Sequence, residues 1–295
     1  MTNRAEHKIR RPEWLEESVW PFEIRAAKID GNDIAYTDEG TGPSVLLVHD
    51  GMWSFVWGQL IAELRQSFRV ITLDFPGSGL SPKSNHVPGL EADSHLLESF
   101  VDHLGLSGFT LVLHDLGGSV GLGMAARRPD LVNGLALVNT FAWPARRPSL
   151  RRMLKVMSSS LMSSINTATN LIPRMTSGRF GIGRHLDAQA KSAFRGGFIA
   201  TESRVRFHDL MRSALMEEEY LEWLEAQLSE TLATKPAITV FGEKNDPFGF
   251  QETFREHLAD LEEMVVPGGN HFPMADDPRG LAERITTWHS EKVSG

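Results

Sequence analysis

The stretch LVLHDLGGSVGLG, residues 111–123, joins a short apolar run to a glycine-rich segment and contains two candidate nucleophiles. Residues 117–121 have the G-x-S-x-G pattern that places a reactive serine at the sharp turn between a strand and a helix. Asp115, four positions before Ser119, stands just after the apolar run. The position of that turn therefore decides whether a serine or an aspartate is the nucleophile.

The strand that leads into this turn is predicted at residues 109–113. To bring Ser119 to the turn, the strand would have to continue through a histidine, an aspartate and two glycines, which are poor strand formers. The pattern therefore predicts Asp115 at the turn and Ser119 one helical turn later, as a small packing residue beneath the site. Asp115 is also a good N-cap for the helix that follows, and geometry permits both roles.

Short, continuous apolar runs recur along the chain and are typical of strands buried on both faces of a sheet. They lie at residues 45–48, 70–73, 109–113, 135–138 and 238–241, and 261–266 is a further candidate strand. Helical patterns separate most of them, as in 57–65, 92–104 and 119–127. A β-hairpin is predicted before them, over 22–29 and 32–38, and a terminal helix from about residue 281. This alternation predicts an α/β fold with a mostly parallel, doubly wound sheet.

The alternation of strands and helices stops between Pro144 and Lys235. That segment contains amphipathic helical patterns at 150–165, 188–194, 203–216 and 218–232, and no convincing strand. We therefore predict a core of residues 1–143 and 236–295 with an inserted helical cap of residues 144–235. The methionines of the cap suit either an adaptable apolar cavity or simply the core of a small helical unit.

The chain has 295 residues, 41% of them hydrophobic, a formal net charge of −8 and no cysteine. An acidic chain does not suit nucleic acid, whose phosphates need a basic face, so a small molecule is the expected partner. The amino terminus is too charged for a signal peptide, and no run is apolar enough to span a membrane. We therefore expect a cytoplasmic protein with no membrane partner. The basic cluster within 146–155 is interpreted as a solvated helix start, with an anionic substrate or membrane surface as the alternative.

Two polar residues follow predicted strands in the last quarter of the chain. Asp246 follows the strand that ends at residue 241, and His271 follows the one that ends at residue 266. With Asp115 they stand in the order nucleophile, acid, histidine, and all three are expected at the carboxyl edge of the sheet. The other histidines show no metal-ligand spacing, so neither a metal nor another cofactor is predicted.

These residues and the motifs around them resemble the α/β-hydrolase superfamily, and within it the haloalkane dehalogenases and related aspartate-nucleophile hydrolases. The resemblance spans nearly the whole chain, with motifs at 21–22, 36–40, 46–49, 53–55, 77–82, 114–115, 139–144, 246–247 and 271–272. It implies that Asp115 is the nucleophile, His271 the base and Asp246 the orienting acid. Asn139 occupies the acid position that some members use, and an amide cannot serve there.

The chemistry implied by this resemblance is a two-step hydrolysis of a small apolar substrate through a covalent alkyl ester of Asp115. The backbone amides of Gly51 and Leu116 are expected to form the oxyanion hole. The family's dehalogenases bind the leaving halide with a Trp directly after the nucleophile and an Asn in a His-Gly-Asn-Pro loop. Here Leu116 replaces that Trp, and residues 49–52 contain no Asn. Trp53 and Trp143 are the candidate substitutes, or else packing aromatics.

Two alternatives to a dehalogenase remain open from the sequence. An epoxide hydrolase would activate the epoxide oxygen with donors from the cap, and Tyr220, with His208, is the available candidate. A protein that keeps the pocket but has lost turnover is the second alternative, favoured by Leu116 and the altered loop. The intact set of Asp115, Asp246 and His271 argues against it.

Overall fold

The computed structural model describes residues 7–293. The first six residues of the charged amino-terminal segment and the last two residues of the chain lie outside the described residues. No helix within 7–293 combines the length and the apolar character needed to cross a bilayer.

The described residues form a nine-stranded sheet with the strand order β1-β2-β3-β5-β4-β6-β7-β8-β9. The strands are β1 (His7–Lys8), β2 (Arg25–Ile29), β3 (Asn32–Glu39), β4 (Ser44–Asp50), β5 (Arg69–Leu73), β6 (Phe109–Asp115), β7 (Val132–Thr140), β8 (Ala237–Gly242) and β9 (Leu261–Val266). The pairs β1–β2, β2–β3 and β3–β5 are antiparallel, and all pairs from β5 to β9 are parallel. The predicted hairpin and parallel sheet are confirmed.

The central strands β4, β6 and β8 are almost entirely buried, as their continuous apolar sequences predict. Helices cover the sheet in two groups, in which α1 packs against α11 and α12, and α3 packs against α2 and α9. The helices are α1 (Gly58–Leu64), α2 (Leu90–Leu104), α3 (Leu116–Arg127), α4 (Pro148–Met157), α5 (Ser160–Thr169), α6 (Leu171–Thr176), α7 (Ala188–Gly196), α8 (Thr201–Met216), α9 (Glu218–Ser229), α10 (Phe250–His257), α11 (Pro273–Asp276) and α12 (Pro278–Trp288).

The segment between β7 and β8 contains helices α4 to α9 and no strand. The single helix predicted at 150–165 is in fact two, α4 and α5, because Ser159 leaves the helix and its side chain caps α5 by accepting from the N–H of Met162. Helix α8 contacts α4 and α5 within the insertion and α2 in the core. The order of these elements is compatible with a helical insertion between β7 and β8. The division into a core and a cap at residues 144 and 235 stays a prediction.

Candidate active site

The sharp turn predicted at Asp115 lies between β6 and α3. Asp115 has φ of 52° and ψ of −131°, a backbone conformation that a non-glycine residue rarely adopts. Helix α3 begins directly at Leu116, three residues earlier than its sequence pattern predicts. A Cβ atom at Gly117 would lie 2.5 Å from the carbonyl oxygen of Val48, so only glycine lets the helix start this close to the sheet.

Ser119 lies beneath this turn, away from any cavity. Its side chain is fully buried, and its Oγ donates to the carbonyl oxygen of Phe141 at 2.9 Å. A hydroxyl committed in this way has no access to a substrate. The G-x-S-x-G pattern therefore marks close packing of α3 in this chain, not a serine at the turn.

His271 faces Asp115 from the loop after β9. Its Nε2 lies 3.7 Å from Oδ2 of Asp115, whose side chain is 21% exposed. The backbone carbonyl of His271 accepts from Nε2 of His114 at 2.6 Å, which fixes the loop to β6. Burial alone would raise the pKa of Asp115, but the adjacent His271 outweighs it and lowers the pKa of Asp115 below its ordinary value. Asp115 is therefore ionised at neutral pH.

The residue at Nδ1 of His271 is Asn245, not Asp246. Asn245 Nδ2 lies 3.2 Å from His271 Nδ1. Asp246 accepts instead from the N–H groups of Phe250, at 2.7 Å, and Gln251, at 3.0 Å, so its carboxylate caps the start of α10. The prediction that Asp246 orients His271 is corrected here, because the amide groups of α10 engage both of its oxygens.

The two amides predicted for the oxyanion hole differ in their availability. The N–H of Leu116 points to the Asp115 carboxylate and contributes to lowering the pKa of Asp115. The N–H of Gly51, by contrast, donates to Oδ1 of its neighbour Asp50 at 2.9 Å. In this conformation Leu116 can meet a developing oxyanion, whereas Gly51 must first be released from Asp50.

Asp50 belongs to a buried ionic network that sequence reasoning missed. Nη2 of Arg206, on α8, lies 2.9 Å from Asp50 Oδ1 and 2.6 Å from Asp93 Oδ2, and all three side chains are at most 4% exposed. His86 contacts the other oxygen of Asp93 at 2.5 Å. Burial raises the pKa of Asp50 well above its usual value even though the Arg206 charge opposes the shift. Nothing in a helical pattern distinguishes Arg206 from a solvated arginine, so the sequence gives no signal for this network.

Two buried imidazoles lie behind His271. The ring centroid of His114 lies 4.8 Å from that of His49 and 4.7 Å from that of His271. Burial lowers the pKa of His49 to about 3 and, as the main cause, holds the pKa of His114 well below its ordinary value. Both rings are therefore neutral at physiological pH.

A cavity of about 540 Å³ opens above Asp115 and His271. Its walls are mostly aliphatic, aromatic and thioether groups from both the insertion and the sheet edge, a lining suited to an apolar ligand. The lining residues are Met52, Asp115, Leu116, Asn139, Phe141, Leu150, Met153, Leu154, Met157, Ile172, Met175, Thr176, Phe180, Gly181, Phe207, Met211, Phe241, Asn245, Pro247, Phe248, Phe250, His271 and Phe272. Four of the methionines considered in the sequence thus line the cavity, at 153, 157, 175 and 211, while those at 162 and 216 do not.

The three aromatic residues predicted for the pocket lie elsewhere. Trp53 donates from Nε1 to the carbonyl of Phe194 at 2.9 Å and packs among other aromatic rings. Trp143 packs edge-on against Phe254 with ring centroids 4.9 Å apart.

Tyr220 donates from its hydroxyl to the carbonyl of Ser119 at 2.7 Å, beneath the turn. His208, its proposed companion, contacts the carbonyl of Met157 at 2.5 Å. Neither residue lines the cavity. These predictions are corrected because each polar group is engaged by a backbone carbonyl. Within residues 7–293, no group of three or more His, Asp or Glu side chains is arranged to hold a metal ion.

Comparisons with known proteins agree with this architecture. The family model described as the alpha/beta hydrolase family matches residues 45–284. Haloalkane dehalogenase 2 of Mycobacterium tuberculosis is 31% identical over 288 residues, which cover 92% of this chain and 96% of that protein. A cis-3-alkyl-4-alkyloxetan-2-one decarboxylase of Xanthomonas campestris is 27% identical over 275 residues, covering 86% of this chain and 91% of the relative.

Among solved structures, haloalkane dehalogenase DbeA of Bradyrhizobium elkani has a TM-score of 0.78 with this chain at 20% identity. The similarity covers 91% of this chain and 99% of that chain, and it shows a shared fold. The chain therefore belongs to the alpha/beta hydrolase family and is an enzyme of its haloalkane dehalogenase-like branch.

Proposed function

We propose that the enzyme hydrolyses a small apolar substrate through a covalent ester of Asp115, as a haloalkane dehalogenase does. The observation that carries this proposal is the position of an ionised Asp115 at a strained turn, facing His271 at the floor of an apolar cavity. A carboxylate needs no base to attack an sp³ carbon, so its lowered pKa suits a nucleophile. The buried hydroxyl of Ser119 does not.

In the first step, an oxygen of Asp115 forms a bond to the substrate carbon while the bond to the leaving group breaks. The leaving group departs as an anion with the electron pair, and an alkyl ester of Asp115 remains. In the second step, His271 takes a proton from water at Nε2 while the water oxygen attacks the ester carbonyl carbon. Collapse of that intermediate releases the alcohol and restores the carboxylate, now with one oxygen from water.

The second step requires a particular protonation state of His271. A base at Nε2 must carry its own proton on Nδ1, and that N–H must be accepted by the oxygen of the Asn245 amide. The amide of Asn245 is then turned by half a rotation, since an amide can present either its oxygen or its nitrogen. A neutral amide orients the ring but stabilises the imidazolium less than a carboxylate does.

The leaving group finds few donors in the cavity. Asn139, which lines it, donates to the carbonyl of Asn270 and accepts from the N–H of Gly242. Leu116 offers no side-chain donor, and the Asp50 carboxylate engages Gly51. These contacts favour a substrate whose leaving group departs without stabilisation by side-chain hydrogen-bond donors. They also disfavour an epoxide, because the Tyr220 hydroxyl is committed to Ser119.

A second candidate activity follows from the same shortage of donors and from the relative that acts on an oxetanone. Asp115 could attack the sp³ ring carbon that is bonded to the ring oxygen of a β-lactone, and the bond from that carbon to the ring oxygen would break. The product would be the same kind of alkyl ester, with the leaving carboxylate still attached to the alkyl group. Loss of CO₂ and departure of Asp115 would then form an alkene without consuming water. The 27% identical decarboxylase of Xanthomonas campestris supports this candidate.

Trapping of the ester separates these possibilities. In His271→Phe, 1-bromobutane should alkylate Asp115, and intact-protein mass spectrometry should show the added butyl group, while Asp115→Asn serves as the unreactive control. Wild type turning over in ¹⁸O-labelled water should incorporate label into Asp115. Alkene formation from a β-lactone that persists in His271→Phe and leaves Asp115 unlabelled would establish the decarboxylase instead. Absence of any adduct or label with substrates that bind would exclude an Asp115 nucleophile.

A further inference from the structure

The charge of the chain is distributed very unevenly. Residues 144–186 contain eight of its 30 Lys and Arg residues and none of its 38 Asp and Glu residues, although the net charge of the chain is −8. Some of these cations are neutralised from outside the segment, as Arg146 is by Glu225 and Arg184 by Asp276. Within residues 7–293, five others have no carboxylate partner in ion-pair range, and they are Arg147, Arg152, Lys155, Arg174 and Arg179.

Four of these five cations, all except Arg147, are followed at once by an exposed apolar side chain. The four basic-apolar pairs are Arg152-Met153, Lys155-Val156, Arg174-Met175 and Arg179-Phe180. Phe180 is 76% exposed and Met175 63%, values that are unusual for side chains of this size. The guanidinium of Arg179 lies over the Phe180 ring at 4.4 Å, so charge and ring belong to one surface.

The apolar members of three basic-apolar pairs reach the cavity above Asp115. Met153, Met175 and Phe180 are exposed and at the same time line the cavity. Val156 lies one turn from Met153 on α4 and is 51% exposed. This exposed surface is therefore continuous with the wall of the cavity.

We propose that this surface docks on an anionic lipid bilayer, from which the apolar substrate enters the cavity. Unpaired cations match anionic headgroups, and the apolar member of each pair can enter the acyl boundary beside them, as at other interfacial protein surfaces. A soluble anion would account for the cations but not for the exposed apolar ring. The sequence prediction of no membrane partner rested on the lack of a spanning run and on a solvated basic cluster. Exposure of the intervening apolar residues changes that interpretation.

Vesicle flotation tests the proposal independently of catalysis. Wild type should float with vesicles of phosphatidylcholine and phosphatidylglycerol at low salt, and far less with phosphatidylcholine alone or at high salt. Changing the four cations of the basic-apolar pairs together to Gln should lower the partition coefficient at least about tenfold. The matched control changes four exposed cations outside the segment, Lys28, Arg255, Arg279 and Lys292, to Gln, which alters the net charge equally and should have little effect.

Phe180→Ser tests the apolar half of the surface, with Val87→Ser as its control, because both residues are 76% exposed. Phe180→Ser should weaken flotation several-fold and Val87→Ser should not. Equal binding to neutral vesicles, or loss of binding in both charge variants, overturns the proposal. The proposal is also overturned if wild type does not bind vesicles and instead forms a dimer in solution that Phe180→Ser dissociates. The surface would then bind a second copy of the chain.

Discussion

Asn245 places its side-chain amide 3.2 Å from Nδ1 of His271, at the position where a carboxylate would orient a catalytic imidazole. An amide can fix the ring but adds no charge to balance the imidazolium that would form in the proposed hydrolysis, when His271 takes a proton from water. The neighbouring Asp246 carries the charge, but its carboxylate accepts hydrogen bonds from the first turn of α10. The second step of hydrolysis should therefore be slow in this enzyme.

Asn245→Asp should accelerate that second step. A carboxylate at this position accepts the Nδ1 proton and stabilises the imidazolium, so hydrolysis of the Asp115 ester should rise at least about tenfold. Rapid-quench measurement of ester decay reports the step directly. Asp246→Ala is the paired variant: it should cost about 1 kcal/mol of unfolding free energy as a lost helix cap and leave ester decay within about twofold. The reverse pattern would return the orienting role to Asp246.

Asp115→Ala and Ser119→Ala should differ sharply in activity. Asp115→Ala removes the proposed nucleophile and should abolish turnover, whereas Ser119→Ala removes one buried hydrogen bond to Phe141 and should cost about 1 kcal/mol of stability with activity largely kept. Initial rates and urea unfolding measure the two effects. An inactive but stably folded Ser119→Ala protein would contradict the burial of its hydroxyl beneath the turn.

Parts of this architecture follow from local sequence and parts do not. Continuous apolar runs identify the buried strands, and the poor strand formers after residue 113 identify Asp115, because both depend on neighbours along the chain. The choice between Asn245 and Asp246 depends on one residue of loop register, which no periodicity fixes. Arg206 meets partners 113 and 156 residues away, so only the packing of α8 on the core reveals its role.

Arg206→Met should destabilise the protein strongly. The change leaves Asp50 and Asp93 buried without a counter-ion, which typically costs about 3–5 kcal/mol of unfolding free energy. Arg212→Met on the same helix is the control, because Arg212 and its partner Asp209 are partly exposed and the pair should contribute about 1 kcal/mol or less. Chemical denaturation compares the two. Similar small losses would mean that water reaches the network around Arg206.

His49 should make the protein sensitive to acid. Its pKa is about 3 in the folded protein, mainly through burial, against about 6.5 in an unfolded chain. Between those values the unfolded state binds the proton and the folded state does not. Burial of His49 therefore lowers the free energy of unfolding progressively as the pH falls through this range. Asp74, whose pKa burial raises to about 6, acts in the opposite direction below that pH.

Comparison with His49→Gln isolates the histidine from Asp74 and other acids. The free energy of unfolding of the variant, minus that of wild type, should increase by about 1.4 kcal/mol for each pH unit from 6 down to 4. Urea titrations across this range provide the measurement. A difference that does not change with pH would show that His49 is protonated in the folded protein.

Leu116→Trp should raise activity toward brominated alkanes if the shortage of leaving-group donors limits the first step. Leu116 lies in the cavity wall next to Asp115, so an indole there can offer its N–H to a departing bromide. A Cβ at Gly51 would lie 3.7 Å from Cδ1 of Leu116, so the loop that contains Gly51 passes close to this side chain. The cavity, at about 540 Å³, has room for an indole and a short alkyl chain.

Stopped-flow alkylation of Leu116→Trp/His271→Phe against His271→Phe alone measures the first step without the second. Leu116→Phe, which adds ring volume but no donor, should give no gain. An increase shared by the Phe and Trp variants would assign the effect to cavity shape, and no increase in either would remove leaving-group stabilisation as the limit.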